Sequence, residues 1–254
     1  MTRRFAQFLS VDSAKAVKAQ SYGFLNGINY MSPASTGGFG NLCPHASAGC
    51  LALCLGWYSG QASMVADLDH GTNSVRKSRQ DKVALFMQDR AAFMSEAVAA
   101  VEALIRKARR LGMKPCARMN GATDIAWEGI RCTRNGVEYR NIFEAFGEVA
   151  FVDYTKNPGR MRRALPSNYH LTFSRAEDNE TAALAILASG KNVAVVFGAD
   201  KPSSWNGFDV VDGDEHDLRQ LDPRATAAHP AGYVIALSPK GNRAKADSSG
   251  FVVR

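Results

Sequence analysis

The sequence predicts an α/β protein: a TIM-like, irregular or partial β/α barrel with an N-terminal cysteine-bearing loop–helix segment, in one domain spanning residues 1–254. Three observations carry this prediction. After residue 112, short apolar runs with strand character alternate with helical patterns, the order that yields a parallel sheet with right-handed crossovers. Residues 192–197, Asn-Val-Ala-Val-Val-Phe, form a nearly continuous apolar run of the kind buried on both faces. Polar clusters follow several of the predicted strands, as they do where strand C-termini build a site. A barrel is favoured over an open doubly wound sheet. No repeat or low-complexity linker divides the 254 residues, a length that single α/β barrels commonly reach.

Residues 1–80 are rich in Gly and Ser, hold three of the five cysteines and read as an irregular segment; residues 81–254 read as the barrel body. Residues 78–111 follow the helical period through Val83, Phe86, Phe93, Met94, Val98, Val101 and Leu104, with Gly112 as the stop and Pro115 just beyond. A break near residues 89–91 would divide that stretch into two helices. Residues 114–120 read as a strand followed by a long connection. Strands are also expected at 149–155, 169–174, 192–197 and 231–237, and a helix at 179–189 with Ala183, Leu184, Ile186 and Leu187 on its apolar side.

Lys and Arg total 31 against 24 Asp and Glu, a net charge of +7, with 46% hydrophobic and 22% charged residues. This excludes a disordered or collagen-like chain. No apolar run reaches the roughly eighteen residues of a membrane-spanning helix, and residues 1–10 lack the apolar stretch of a signal peptide. The expectation is a cytoplasmic protein with no membrane partner, its thiols kept reduced. The basic clusters at 106–110 and 160–163, with Lys240, Arg243, Lys245 and Arg254, leave nucleic acid open as a partner. No zinc-finger spacing or RNA-recognition signature accompanies them, and the first cluster falls in the last turn of a predicted helix, where cations suit the dipole.

The sharpest local pattern is Cys43, Cys50 and Cys54, spaced C-x6-C-x3-C. On a helix, Cys50 and Cys54 share a face, and Cys43 lies in the preceding loop before Pro44. Three readings compete: buried structural thiols, a zinc site with His45 as the fourth ligand, and an iron–sulfur cluster on three thiolates that leaves one iron open. Cys116 lies four residues before Asn120, about 13 Å below the strand's top, too far to join them. Cys132, in the connection beyond, is the candidate for a fourth ligand.

The strand ends supply candidate chemistry. Asp124 and Asp153 are carboxylates for proton transfer. Lys156 and Arg175 suit an anionic group or a developing oxyanion. Arg118, Asn120, Tyr154 and Ser174 form a candidate substrate-binding set. Ser174 lacks the Gly-x-Ser-x-Gly elbow of a nucleophile. The competing reading of Arg118, Asp153 and Lys156 is an internal salt-bridge network. A polar cavity beside the cysteines would favour an enzyme; a packed apolar interior would favour a structural protein.

These residues resemble a known family. Cys43-Pro44 through Cys50 and Cys54 resembles the C-P-x5-C-x3-C run of the phage gene product 88 family. The similarity continues through residues 118–125 (Arg-Met-Asn-Gly-Ala-Thr-Asp-Ile), 151–156 (Phe-Val-Asp-Tyr-Thr-Lys), 168–175, 192–197 and 212–214, over roughly residues 25–253. The resemblance implies a phage or prophage origin, a host-cytoplasmic location, a barrel-like fold and a [4Fe–4S] cluster on Cys43, Cys50 and Cys54. The arrangement is also distantly similar to radical S-adenosylmethionine enzymes, which join a three-cysteine cluster to a barrel; their C-x3-C-x2-C spacing and Gly-Gly-Glu run are not found here. The resulting expectation is an iron–sulfur enzyme whose open iron acts as a Lewis acid, in a hydrolase- or esterase-like reaction on a small-molecule substrate. The alternatives are a radical or electron-transfer protein, and a structural zinc or DNA-associated phage protein.

Overall fold

In the computed structural model, which describes residues 5, 7–198 and 200–254, the chain begins with strand-poor sequence that nevertheless enters the sheet. Residues 1–4 and 6, part of the N-terminal stretch considered above, lie outside the described residues. Helix α1 (Ala14–Lys18) starts at Ser13, whose hydroxyl accepts the Ala16 N–H. Strand β1 (Phe24–Ile28) follows, inside the stretch expected to be irregular. Asn26 and Gly27 disfavour a strand locally, but a parallel ladder from Phe24↔Lys114 to Ile28↔Arg118 holds it. Gly27 also admits the next layer: a Cβ there would lie 3.1 Å from a Leu104 methyl.

Two short helices carry the cysteine segment, α2 (Ala48–Ala52) and α3 (Leu55–Tyr58). The long helical stretch is two helices, α4 (Ser74–Gln88) and α5 (Arg90–Arg110). The break is at Asp89, as expected: its side chain accepts the Ala92 N–H at 2.9 Å and caps α5. Strand β2 (Lys114–Arg118) comes next, then a hairpin of β3 (Cys132–Arg134) and β4 (Val137–Tyr139). Asn135 and Gly136 at its tip both have positive φ, 52° and 79°, which suits a two-residue hairpin turn. After α6 (Ile142–Ala145), strands and helices alternate: β5 (Ala150–Thr155), α7 (Pro158–Met161), β6 (Tyr169–Ser174), α8 (Glu180–Ala188), β7 (Val193–Val196). A second hairpin, β8 (Ser204–Trp205) with β9 (Phe208–Asp212), precedes β10 (Val234–Leu237) and α9 (Asn242–Lys245).

Eight strands form one sheet in the order β1-β2-β5-β6-β7-β10-β9-β8, parallel except at the β8–β9 hairpin. From β1 to β7 the sheet's strands follow chain order, β1, β2, β5, β6 and β7, with the β3–β4 hairpin outside it. Helices cover one face. Leu25, Ala117 and Phe151 of β1, β2 and β5 join α4 and α5 in a large core, and Phe173, Val193, Val195 and Val234 join α7 and α8 in a second. The opposite face of β2 and β5 packs Cys116 and Val152 against Leu218 and Ala19.

Candidate functional site

A cavity of about 230 Å³ opens at the C-terminal ends of the parallel strands, more than a dozen times the space one water needs. β2 contributes Arg118 and the loop after it, β5 Tyr154 and Lys156, β6 Ser174, and β10 Leu237 with Ser238 and Lys240. This edge is where α/β proteins place their sites, because the loops there are free of the crossover helices.

Cys43, Cys50 and Cys54 form one wall. The chain does not carry Cys50 and Cys54 along one helix face, as the spacing suggested. α2 ends at Ala52, and Cys54, with φ −54° and ψ 114°, is the residue that starts α3. α3 reaches the strand edge because of Gly56, where a Cβ would collide with the Ala122 side chain. The Cys43 amide donates to Asn41 Oδ1 at 2.8 Å, its sulfur accepts the Ala34 N–H at 3.3 Å, and it lies 3.7 Å from the Ala122 carbonyl. Burial pushes the Cys43 thiol up to about 12 and Cys54 up to about 11, against the backbone N–H of Ala34 in the first case and of Gly56 and Trp57 in the second. Burial also raises Cys50, with the Lys156 charge opposing it. As bare thiols they therefore keep their protons at neutral pH. Glu177, just past β6, fixes this wall: its carboxylate accepts from Ser47 Oγ at 2.8 Å and from the Gly49 N–H at 2.6 Å.

The charged residues divide by what holds them. Asp124 Oδ1 pairs with Arg160 at 2.7 Å, and Oδ2 accepts from Thr155 Oγ1 and the Lys156 N–H at 3.1 and 2.9 Å. Arg160, from the basic cluster at 160–163, is itself buried between Asp124 and Glu128. The Lys156 ammonium donates to Ser174 Oγ at 2.9 Å and to the Ser174 and Arg175 carbonyls. Burial lowers its pKa, with Cys50 and Asp124 pulling the other way. Asn120 is buried, and its side-chain oxygen accepts from Thr123, Ile125 and Trp127, each at 2.9 Å, so it shapes the loop after β2. Asp214 pairs with Lys240 at 3.0 Å.

The structure thus brings together Cys43, Cys50, Cys54, Arg118, Asn120, Asp124, Tyr154, Lys156 and Ser174. It places four candidates elsewhere. Asp153 lies behind the strand edge, accepting the Asn120 N–H at 2.7 Å and the Tyr169 hydroxyl at 3.2 Å. Arg175 pairs with Glu180 at 2.7 Å and donates to the Gly250 and Phe251 carbonyls, holding the C-terminal segment. Cys132 is buried in the large core within the β3–β4 hairpin, and His45 is exposed outside the cavity. Glu177, Asp214, Asp217 and Phe251 carry no motif that assigns them a role, although Glu177 and Asp214 lie just past strands, where strand-end polarity points.

Among the described residues, no group of three or more His, Cys, Asp or Glu side chains is arranged to hold a metal ion, and no helix is long and apolar enough to cross a membrane. Residues 7–254 match the model of a family described as gene product 88. No curated protein matches the chain, and no solved structure matches it.

Proposed function

The chain belongs to the phage gene product 88 family, and from that footing we propose that it is an iron–sulfur enzyme whose reaction takes place in the cavity at the strand ends. One observation carries this reading: three cysteine thiols line the same cavity as the polar ends of the parallel strands. The donor set fits a cluster. Cys43 has the Ala34 N–H, Cys54 the N–H groups of Gly56 and Trp57, and Cys50 the nearby Lys156 charge. Such donors stabilise ligated thiolates and tune cluster potentials. A single zinc would need its ligands to meet at one point, whereas each thiolate of a cluster binds its own iron. The unreversed strand order from β1 to β7 supports a partial barrel, and five free cysteines suit a reducing cytoplasm.

When bound, a three-thiolate [4Fe–4S] cluster would supply an iron with an open position, acting as a Lewis acid or an electron carrier. The chain's own residues do the rest. Lys156 orients the Ser174 hydroxyl by donating to its oxygen. Asp124, locked by Arg160, holds the β5 end and the loop after β2 in register. Asp124 and Asp214 are ion-paired, whereas Asp217, which also lines the cavity, makes no side-chain hydrogen bond or ion pair among the described residues.

The test is iron and acid-labile sulfide on anaerobically purified protein, with electron paramagnetic resonance before and after reduction. We expect about four of each per chain and a reducible signal, and Cys50→Ser should lose both iron and sulfide. Zinc without sulfide, or full iron in Cys50→Ser, overturns the assignment. A change in the reduced signal on adding S-adenosylmethionine would move the reaction class from Lewis-acid to radical chemistry.

A further inference from the structure

Arg118 ends β2 and lines the cavity. Its Nε donates to the Asn120 carbonyl at 3.0 Å, and its guanidinium lies over the Tyr154 ring, 4.8 Å from the centroid. These two contacts fix the plane of the group and occupy one of its N–H donors. Its terminal nitrogens donate to no protein group, and no carboxylate lies within ion-pair distance among the described residues. The other cations lining the cavity are engaged: Lys240 pairs with Asp214 at 3.0 Å, and Lys156 donates to three oxygens of Ser174 and Arg175. Arg118 alone among them faces the cavity with an unused pair of parallel donors.

A planar fork with two free N–H groups matches a carboxylate in bidentate geometry. Lys156 donates only to neutral oxygens and Asp217 brings the opposite charge to the same cavity, so one net positive charge is left to balance a monoanion; a phosphate dianion would leave charge uncompensated in a partly desolvated space. The remaining walls are largely apolar, with Pro33, Leu53, Val196 and Leu237 among them. At the rim, Leu51 and Leu55 are 44% and 42% exposed, large apolar surfaces that a ligand's body would cover.

We propose that the cavity binds a small monocarboxylate with an apolar body, its carboxylate paired with Arg118 and its body covering Leu51 and Leu55. This rests on the reading that the cavity is the reaction site and names the substrate class of that site.

The experiment is calorimetric titration of the full chain with octanoate and phenylbutanoate, with their primary amides, and with octyl phosphate. The carboxylates should bind about ten- to a hundredfold more tightly than the amides, the range of a charge-assisted hydrogen-bonded pair, and more tightly than the phosphate. Arg118→Gln should abolish the preference for acid over amide, and Arg118→Lys should retain part of it. Leu55→Asp, at a position exposed enough to leave the fold intact, should weaken acid and amide alike. Equal binding of acid and amide, tighter binding of the phosphate, or no binding of any probe overturns the proposal. Iron and sulfide measured on the same samples separate the two readings. Carboxylate preference in protein without iron overturns the cluster alone, and full iron without carboxylate preference overturns the substrate class alone.

Discussion

Asp153 is wholly buried and has no cation within ion-pair distance among the described residues. Burial pushes its carboxyl up to about 7, although the Arg118 charge and the Asn120 N–H pull it down. In the unfolded chain the same group releases its proton near the ordinary carboxylate value. Between the two values the native state holds a proton that the unfolded state has lost, so stability falls as pH rises from about 4 to about 7, by at most about 1.4 kcal/mol per pH unit. Urea unfolding across this range should show the decline in the wild type and a flatter profile in Asp153→Asn; equal slopes would refute the assignment. The alternation of strand side chains explains why this residue stands away from the cavity. Tyr154 faces the cavity, so its neighbour Asp153 faces the helices; Arg175, next to Ser174, is displaced in the same way. The period-two rule was available in the sequence, but strand-end polarity alone marked all four residues as equivalent. The cysteine triplet was legible because spacing constrains it more tightly than polarity does, although the turn between Cys50 and Cys54 was not.

At the scale of elements, α4 governs the ordering of the cysteine wall. Arg76 is fully buried, lies over the Trp57 ring at 3.9 Å, and donates to the carbonyls of Ala62, Gly71, Trp57 and Leu68 at 2.6–3.1 Å. One side chain thus satisfies four backbone oxygens in the segment that follows Cys54. Arg76→Met would strand those carbonyls and should cost about 3 kcal/mol or more. Hydrogen exchange read by mass spectrometry should show the loss first in residues 57–71, with α5 protected until global unfolding; uniform loss across the chain would contradict a local role. Helices α4, α5 and α8 were legible because their apolar pattern persists over many residues, and β6 because it is a short apolar run between turns; the four- and five-residue helices α1, α6, α7 and α9 are too short to show a period. β1 was not legible, because Asn26 and Gly27 carry no strand signal and the ladder from β2 supplies what local preference lacks. β9 was hidden for a similar reason: Asp209 and Asp212 break up its apolar content at an outer position of the sheet.

At the scale of the molecule, one sheet runs through both cores, and Leu171 of β6 packs against each of them. That continuity should make unfolding cooperative. Scanning calorimetry is expected to give a single transition with matching calorimetric and van't Hoff enthalpies; two resolved peaks would show that the halves melt independently. The parallel, alternating character of the fold could be read from the strand and helix patterns. Strand neighbours could not, since residues 231–237 announce a strand without stating where it inserts. β10 inserts between β7 and β9, both of which leave the ribosome before it. During synthesis those two strands therefore wait with facing edges open, and Ser238 and Lys240 of the cavity wall arrive only when the strand between them does. A translation product stopped before residue 234 would carry Cys43, Cys50 and Cys54 but lack Leu237, Ser238 and Lys240, so the chamber closes only when synthesis of the sheet is complete.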